Sequence, residues 1–229
     1  SMQGETRITQ LSPSCAGLSN GRGTELVPGS AAPQRGELKS AWRSRGYLPH
    51  FDAPTAVQHV TYRVADSLPR NVVAQLEGEL ASFPMERRDA EKRRRIEAYL
   101  DAGFGACTLR QAEAASVVIE TWFRFDGERY RLLAFVVMPN HCHVLIECFE
   151  GWPLGKIVNS WKSYTARWIN AQGIGGAARV PFWQREYWDR YIRDDRHFRA
   201  TKGYIEQNPV AAGLAMAAEE WPWSSAWKG

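Results

Sequence analysis

The run from His141 to Cys148 constrains the fold of this chain more than any other segment, because its residues divide cleanly between two faces. Side chains alternate across a β-strand, so residues two apart point to the same side. One face is wholly apolar and suits a packed core: Cys142, Val144, Ile146 and Cys148. The other face carries His141, His143, Leu145 and Glu147, so two imidazoles lie side by side on it. The pattern predicts a strand that is packed on one side and holds two histidines on the other.

Two adjacent imidazoles on a rigid strand are half of a metal site, since imidazole is a common metal ligand. Two nitrogens do not complete a coordination sphere. A further O or N ligand must therefore come from elsewhere, and a position should stay open for substrate or water. Zinc binding through Cys142 is disfavoured because Cys142 points away from both histidines. At this point a metal role, a phosphate role and a structural role for the pair all remain open.

A chain of 229 residues and 25.9 kDa is long enough for one substantial core and short for two domains. Residues 1–44 are rich in Ser, Gly and Pro and lack apolar periodicity, so we expect a flexible N-terminal leader there. Residues 45–229 are expected to form a single domain.

No apolar run approaches the roughly 20 residues that span a bilayer, so the sequence predicts a soluble protein with no membrane partner. The four cysteines are irregularly spaced, and two of them lie on the apolar face of the proposed strand. Such cysteines act as small hydrophobic residues, which favours a reduced, cytoplasmic protein without a secretory signal.

Hydrophobic periodicity along the remaining chain predicts an α+β fold with helices against one antiparallel sheet. Strands are expected at 56–68, 121–125, 130–138, 141–148 and 182–192. Helices are expected at 71–83, 86–100, 109–123, 154–170 and 196–207. Asp194 or Asp195 could cap the last helix, and Pro209 should break or kink it.

Charge distribution is more informative than the net charge of +4. Arginines and lysines cluster within 87–95 and recur through 185–199, and the chain has ten tryptophans. Aromatic rings among arginines are typical of surfaces that bind single-stranded nucleic acid. The alternative for each cluster is a solvated helix face.

A second candidate constellation is Tyr204 and Asn208, which share a face if this segment is helical because they are four residues apart. An amide oxygen can ligate a divalent cation, and an activated phenol can attack a phosphodiester. The alternative is ordinary amphipathic packing of Tyr204.

Five motifs in order carry a family resemblance: VMPNHCHV at 137–144, WKSYTA at 161–166, WDRYIRD at 188–194, YIEQNPV at 204–210 and WPWSS at 221–225. The chain resembles the REP-associated tyrosine transposases, in the single-tyrosine branch of the HUH nucleases, where U is a hydrophobic residue. The likeness extends from about residue 47 to residue 225. Cys142 fits the hydrophobic middle position of the HUH triplet.

The resemblance implies a ferredoxin-like or RRM-like central antiparallel sheet and a reaction on single-stranded DNA. It implies His141, His143 and Asn208 as ligands of Mg²⁺ or Mn²⁺, and Tyr204 as the catalytic nucleophile. Attack by Tyr204 would give a 5′-phosphotyrosine and a free 3′-OH, and the reverse attack would rejoin strands.

The family is thought to recognise short palindromic repeats that fold as hairpins. Lys162, Arg190 and Arg193 lie in matching motifs and are expected to contact DNA phosphates, and Trp188 is expected to stack on a base. Trp161 lies on an apolar helix stripe and is expected in the core. The resemblance allows a monomer or a homodimer.

Two other functions remain compatible with the sequence. One is a domesticated, catalytically silent protein that only binds repeat hairpins. The other is a histidine-based phosphoesterase or metal hydrolase, whose activity would survive loss of Tyr204 but not of His141.

Overall fold

The computed structural model describes residues 42–44, 49–51, 55–175 and 181–229. The predicted leader therefore lies outside the described residues, except for a short strand at 42–44, and its flexibility stays a prediction. The assignment of residues 45–229 to a single domain also stays a prediction.

Six strands and five helices make up the described fold. The strands are β1 (Trp42–Ser44), β2 (Pro49–Phe51), β3 (Val57–Arg63), β4 (Tyr130–Val137), β5 (His141–Cys148) and β6 (Trp188–Tyr191). The helices are α1 (Arg70–Leu80), α2 (Met85–Asp101), α3 (Ala112–Phe123), α4 (Leu154–Ala171) and α5 (Asp195–Ala211). Short 3₁₀ turns lie at Thr108–Arg110 and Ala218–Glu220.

Strands β3 to β6 form one antiparallel sheet in the order β4-β5-β3-β6, and β1 and β2 pair with each other in a second, two-stranded sheet. The register places Thr61 of β3 opposite His143 on one side and opposite Trp188 on the other. Residues directly opposite each other in an antiparallel pair point to the same face. The expected α+β fold with a central antiparallel sheet is confirmed.

The predicted apolar face of β5 is buried under helices α3 and α4. Cys142, Val144 and Ile146 belong to the main core cluster together with Trp122 of α3 and Trp161 of α4. These two indoles donate to buried tyrosine hydroxyls, Trp122 Nε1 to Tyr62 Oη and Trp161 Nε1 to Tyr130 Oη, each at 3.0 Å. The hydrogen bonds satisfy polar atoms that would otherwise be costly to bury.

The opposite face of the sheet is covered by α5, whose Ile205 packs with Leu145 and Val136. The α1–α2 hairpin forms a smaller cluster, with Trp188 at its edge. Prolines precede both helices of this hairpin, where the missing N–H leaves no helix hydrogen bond unmade. Asp194 caps α5, as expected, by accepting a hydrogen bond from the His197 backbone N–H at 2.7 Å.

Three local predictions are wrong. Residues 121–123 end helix α3 and form no strand with 124–125, because Trp122 is fully buried on the apolar stripe of that helix. The expected strand at 182–192 is regular only over β6, although Trp183 forms an isolated bridge with Val64. Pro209 does not break α5, which continues to Ala211, and the alternative that it kinks the helix stays a prediction. The missing proline N–H costs a single helix hydrogen bond so near the terminus, and Pro209 O accepts from Leu214 N at 2.8 Å.

Within the described ranges, no helix has the length and apolar character that crossing a membrane requires.

Candidate active site

The two histidines of β5 lie on the sheet face that α5 covers, and both are buried. Their Nε2 atoms are 3.1 Å apart, and the ring planes are perpendicular. The predicted pairing of His141 and His143 on the non-core face is therefore what the structure contains.

Asn140 fixes which nitrogen of His141 carries the proton. Its Nδ2 donates to the Phe104 carbonyl at 2.9 Å, so its Oδ1 is the atom that faces His141 Nδ1 at 2.8 Å. An amide oxygen only accepts hydrogen bonds, and Nδ1 must therefore be the donor. The lone pair of neutral His141 is left on Nε2, directed toward His143.

Two side chains of the neighbouring strand β3 contact His143. Its Nδ1 lies 2.9 Å from Thr61 Oγ1 and 3.1 Å from His59 Nε2, both on β3. Sequence reasoning assigned neither residue a role. The available signal was their position on the polar face of the first predicted strand.

Helix α5 brings Tyr204 to the histidines. The Tyr204 ring packs edge-on against His143, with ring centroids 5.4 Å apart, and against His59 at 6.0 Å. Asn208, one turn further along, is buried and hydrogen-bonds the Tyr204 phenol. Among the described residues, Asn208 Oδ1 has no hydrogen-bond partner. The four residues expected to form the catalytic centre lie together.

Helix α2 contributes two carboxylates that sequence reasoning did not connect with this site. Glu97 hydrogen-bonds the Tyr204 phenol, and Asp101 Oδ1 lies 3.7 Å from His141 Nε2. No local pattern marks these two carboxylates, because they belong to a strongly charged helix more than 35 residues before the histidines. Only the packing of α2 over the sheet face reveals them.

Burial sets the protonation state of the site. It lowers the pKa of His141 to about 3, and it also holds the pKa of His143 well below its ordinary value, with a smaller contribution from His141. Both imidazoles are therefore neutral at physiological pH, as metal ligands must be. Burial, Glu97 and Asp101 raise the pKa of Tyr204, so its phenol is protonated.

A cleft of about 360 Å³ opens beside Tyr204. Its floor is formed by β3 and β6, and α2 and α5 form its walls. Trp188 and Arg190 of β6 both line it, and their expected contacts with DNA stay predictions. Arg193 is exposed in the turn between β6 and α5.

The basic cluster of α2 is largely paired with carboxylates. Lys92 pairs with Glu77, Arg94 with Glu91, and Arg95 with both Glu79 and Glu91. Arg93 and Arg94 both line the cleft. The outer face of this helix thus has much less free positive charge than its sequence suggests.

Lys162 is not brought to the site. It lies on α4, beyond the opposite face of the sheet, and is buried with its Nζ donating to the Arg185 carbonyl at 2.7 Å. Its expected contact with DNA stays a prediction, and the structure gives its ammonium an internal partner.

Burial lowers the pKa of Lys162 to about 8. The unfolded chain, with the ordinary value near 10.5, then binds more protons between these two values, so stability rises with pH there. We expect the free energy of unfolding of the wild type, relative to Lys162→Met, to increase by roughly 2–3 kcal/mol from pH 7.5 to pH 10.5. Denaturant titrations of both proteins measure this, and parallel pH profiles would contradict it.

The nitrogen and oxygen atoms of the site can be compared with the ligand geometry that a divalent cation requires. Two ligand atoms about 2.1 Å from one ion and at right angles lie about 3.0 Å apart, close to the separation of the two Nε2 atoms. The orphaned Asn208 Oδ1 supplies a buried oxygen with no other function. Within the described ranges, no group of three or more His, Cys, Asp or Glu residues is placed to hold a metal ion. The two imidazole nitrogens and the amide oxygen of Asn208 are nevertheless of the donor types that would hold a divalent cation.

Comparisons with known proteins point to one family. A model of the family described as "Transposase IS200 like" matches residues 85–208, more than half of the chain and including all four residues of the centre. The REP-associated tyrosine transposase of Escherichia coli is 27% identical over 96 residues, which are 42% of this chain and 54% of that protein. A putative REP-associated tyrosine transposase of Haemophilus influenzae is 42% identical over 43 residues, 19% of this chain and 24% of that protein.

One solved structure, of a REP-associated tyrosine transposase bound to a REP hairpin, aligns with 79% of this chain and 82% of that chain at 17% identity and a TM-score of 0.48. The chain spans about half the length of the Escherichia coli relative and about a quarter of the Haemophilus relative. The family match over residues 85–208 decides the assignment: this chain belongs to the IS200-like transposase family.

Proposed function

We propose that the protein is a metal-dependent endonuclease and strand transferase that cleaves and rejoins hairpin-forming, single-stranded repeat DNA. The observation that carries the proposal is the contact of the Tyr204 ring with His143, in a centre where the Nε2 atoms of His141 and His143 lie 3.1 Å apart. The curated relatives named as REP-associated tyrosine transposases support repeat hairpins as the substrate class.

In this proposal His141, His143 and Asn208 hold Mn²⁺ or Mg²⁺. Imidazole nitrogens combined with an oxygen ligand suit Mn²⁺ better than Mg²⁺, which prefers oxygen throughout. When bound, the ion polarises the scissile phosphate and offsets charge that builds up on its oxygens.

Tyr204 supplies the nucleophile. Its Oη forms a bond to phosphorus, and the bond from phosphorus to the 3′ oxygen breaks, which leaves a 5′-phosphotyrosine and a 3′-OH. Attack by another 3′-OH on the same phosphorus reverses the step and frees Tyr204. No ATP is needed, because the phosphotyrosine bond retains the energy of the broken linkage.

Glu97 is the group placed to receive the phenolic proton. A protonated phenol with a raised pKa is a poor nucleophile, and the histidines are poor proton acceptors because burial depresses their pKa values. Glu97 hydrogen-bonds the phenol, and burial raises the pKa of Glu97, which makes it a stronger base than an ordinary carboxylate. The same carboxyl group can return the proton to the departing 3′ oxygen.

Glu97→Gln is expected to slow formation of the covalent adduct by about 10²–10⁴-fold, the usual contribution of a general base. Single-turnover kinetics with saturating DNA measure this rate. Hairpin affinity should not fall, since the amide keeps the size of the carboxylate and removes a negative charge from the cleft. An adduct rate equal to that of the wild type would contradict the role of Glu97.

DNA is proposed to enter the cleft along β6. Arg190 can contact a phosphate there, Arg193 can contact one at the exposed mouth, and Trp188 offers a ring for base stacking. Whether one chain or two complete the site in solution is part of the same proposal, which allows a monomer or a homodimer.

The test is incubation of the protein with 5′-labelled and 3′-labelled hairpin DNA in Mn²⁺, followed by denaturing electrophoresis. The expected result is a covalent adduct that retains the label 3′ to the cut. Tight hairpin binding without an adduct in any divalent metal would instead indicate a silent binding protein. Hydrolysis without an adduct would indicate a histidine-based phosphoesterase.

A further inference from the structure

The two histidines of the centre are held through their Nδ1 atoms by different partners. His141 Nδ1 faces an amide oxygen, whose identity is fixed by the Phe104 carbonyl. His143 Nδ1 faces a hydroxyl at 2.9 Å and a second imidazole at 3.1 Å, namely Thr61 Oγ1 and His59 Nε2. Both of these groups can either donate or accept a hydrogen bond.

This difference matters because the proton on His143 can be on either nitrogen. With the proton on Nε2, His143 donates to His141 Nε2 and cannot bind a cation. With the proton on Nδ1, the Nε2 lone pairs of His141 and His143 converge, and Nδ1 needs an acceptor. A group that accepts this proton therefore selects the tautomer that binds metal.

We propose that His59, together with Thr61, is a positioning residue that accepts the Nδ1 proton of His143 and thereby holds Nε2 ready for the divalent cation. The inference rests on the proposed function, in which His143 is a ligand. It adds a residue that contacts the proposed ligand His143 and not the ion itself. This residue lies on a third segment of the chain, far in sequence from both the histidine strand and the tyrosine helix.

The surroundings of His59 suit an acceptor. It is buried on β3, an inner strand of the sheet, with its ring against His143 and Tyr204. A neutral imidazole offers one unprotonated nitrogen, and Nε2 is the atom that faces His143. The strand fixes the geometry, because Thr61 lies directly opposite His143 in the ladder and His59 lies two residues away on the same face.

The experiment measures Mn²⁺ affinity by electron paramagnetic resonance in the absence of DNA. His59→Phe keeps a ring against Tyr204 but removes the acceptor, and Thr61→Val removes the hydroxyl at nearly constant volume. We expect the double variant His59→Phe/Thr61→Val to bind Mn²⁺ about 10–100-fold more weakly than the wild type. His59→Gln/Thr61→Val, whose amide oxygen can accept, should recover most of the affinity.

Two further readouts separate positioning from folding and from the reaction. Thermal unfolding should show the His59→Gln/Thr61→Val and His59→Phe/Thr61→Val variants folded, and saturating Mn²⁺ should restore adduct formation in His59→Phe/Thr61→Val. An unchanged Mn²⁺ affinity in the double variant overturns the inference, whether or not the wild type forms the adduct. Weakened Mn²⁺ binding in a protein whose wild type forms no adduct supports the inference and overturns the proposed reaction.

Discussion

Tyr204→Phe is expected to abolish the covalent protein–DNA adduct. The substitution removes only the phenolic oxygen, which is the proposed nucleophile, and keeps the ring that packs against His143 and His59. Loss of a covalent nucleophile lowers enzyme rates by factors on the order of 10⁶, so no adduct should be detectable. Denaturing electrophoresis with labelled hairpin DNA and Mn²⁺ measures this directly.

Hairpin affinity of the Tyr204→Phe variant should match that of the wild type, because the proposed DNA contacts are made by other residues. Tyr164→Phe is the matched control, since Tyr164 is an exposed tyrosine on α4, the helix that covers the opposite face of the sheet. It should form the adduct at the wild-type rate. Cleavage that persists in Tyr204→Phe would remove the nucleophile assignment and favour a phosphoesterase.

Trp161→Ala should have the largest effect on stability. The indole is fully buried, donates to Tyr130 Oη, and contacts the rings of Tyr62 and Trp122. Truncation leaves a large cavity and takes one donor from a buried hydroxyl, for an expected loss of about 3–5 kcal/mol. Domains of this size have total stabilities of about 5–15 kcal/mol, so the variant would be close to unfolding at 37 °C.

Guanidinium chloride titration followed by circular dichroism measures this loss. Tyr164→Ala, three residues along the same helix but largely exposed, should change the free energy of unfolding by less than about 0.5 kcal/mol. Equal stability losses in the two variants would show that Trp161 is not the core residue that its burial indicates.

The sequence predicted the histidine strand correctly because alternation over eight residues leaves little freedom. A slip of one position would turn Cys142, Val144 and Ile146 away from the core and would bury the charged end of Glu147 in their place. The long helices were predicted for the same reason, since their apolar stripes extend over several turns. The predicted strand at 121–125 failed because it is short, and its apolar residues continue the stripe of α3.

The residues of the proposed centre also divide into those that local spacing relates and those that only packing brings together. The relation of His141 to His143, and that of Tyr204 to Asn208, each lie within one regular element, so spacing alone placed them. His59, Glu97 and Asp101 come from elements that meet the histidines only through strand pairing and helix packing. Lys162 is the converse case. Its motif predicted a contact with DNA, whereas in the structure its ammonium donates to the Arg185 carbonyl inside the protein.

The sequence alone thus determined which residues share a face, because local periodicity has a fixed geometry in strands and helices. It also determined the chemical types available for the reaction: two imidazoles, a phenol and an amide. Only the tertiary structure decided which carboxylates reach the phenol, which neighbours hold His143, and how far burial shifts each pKa. Those properties depend on contacts between segments that are distant in the chain, and on the water that packing excludes from them.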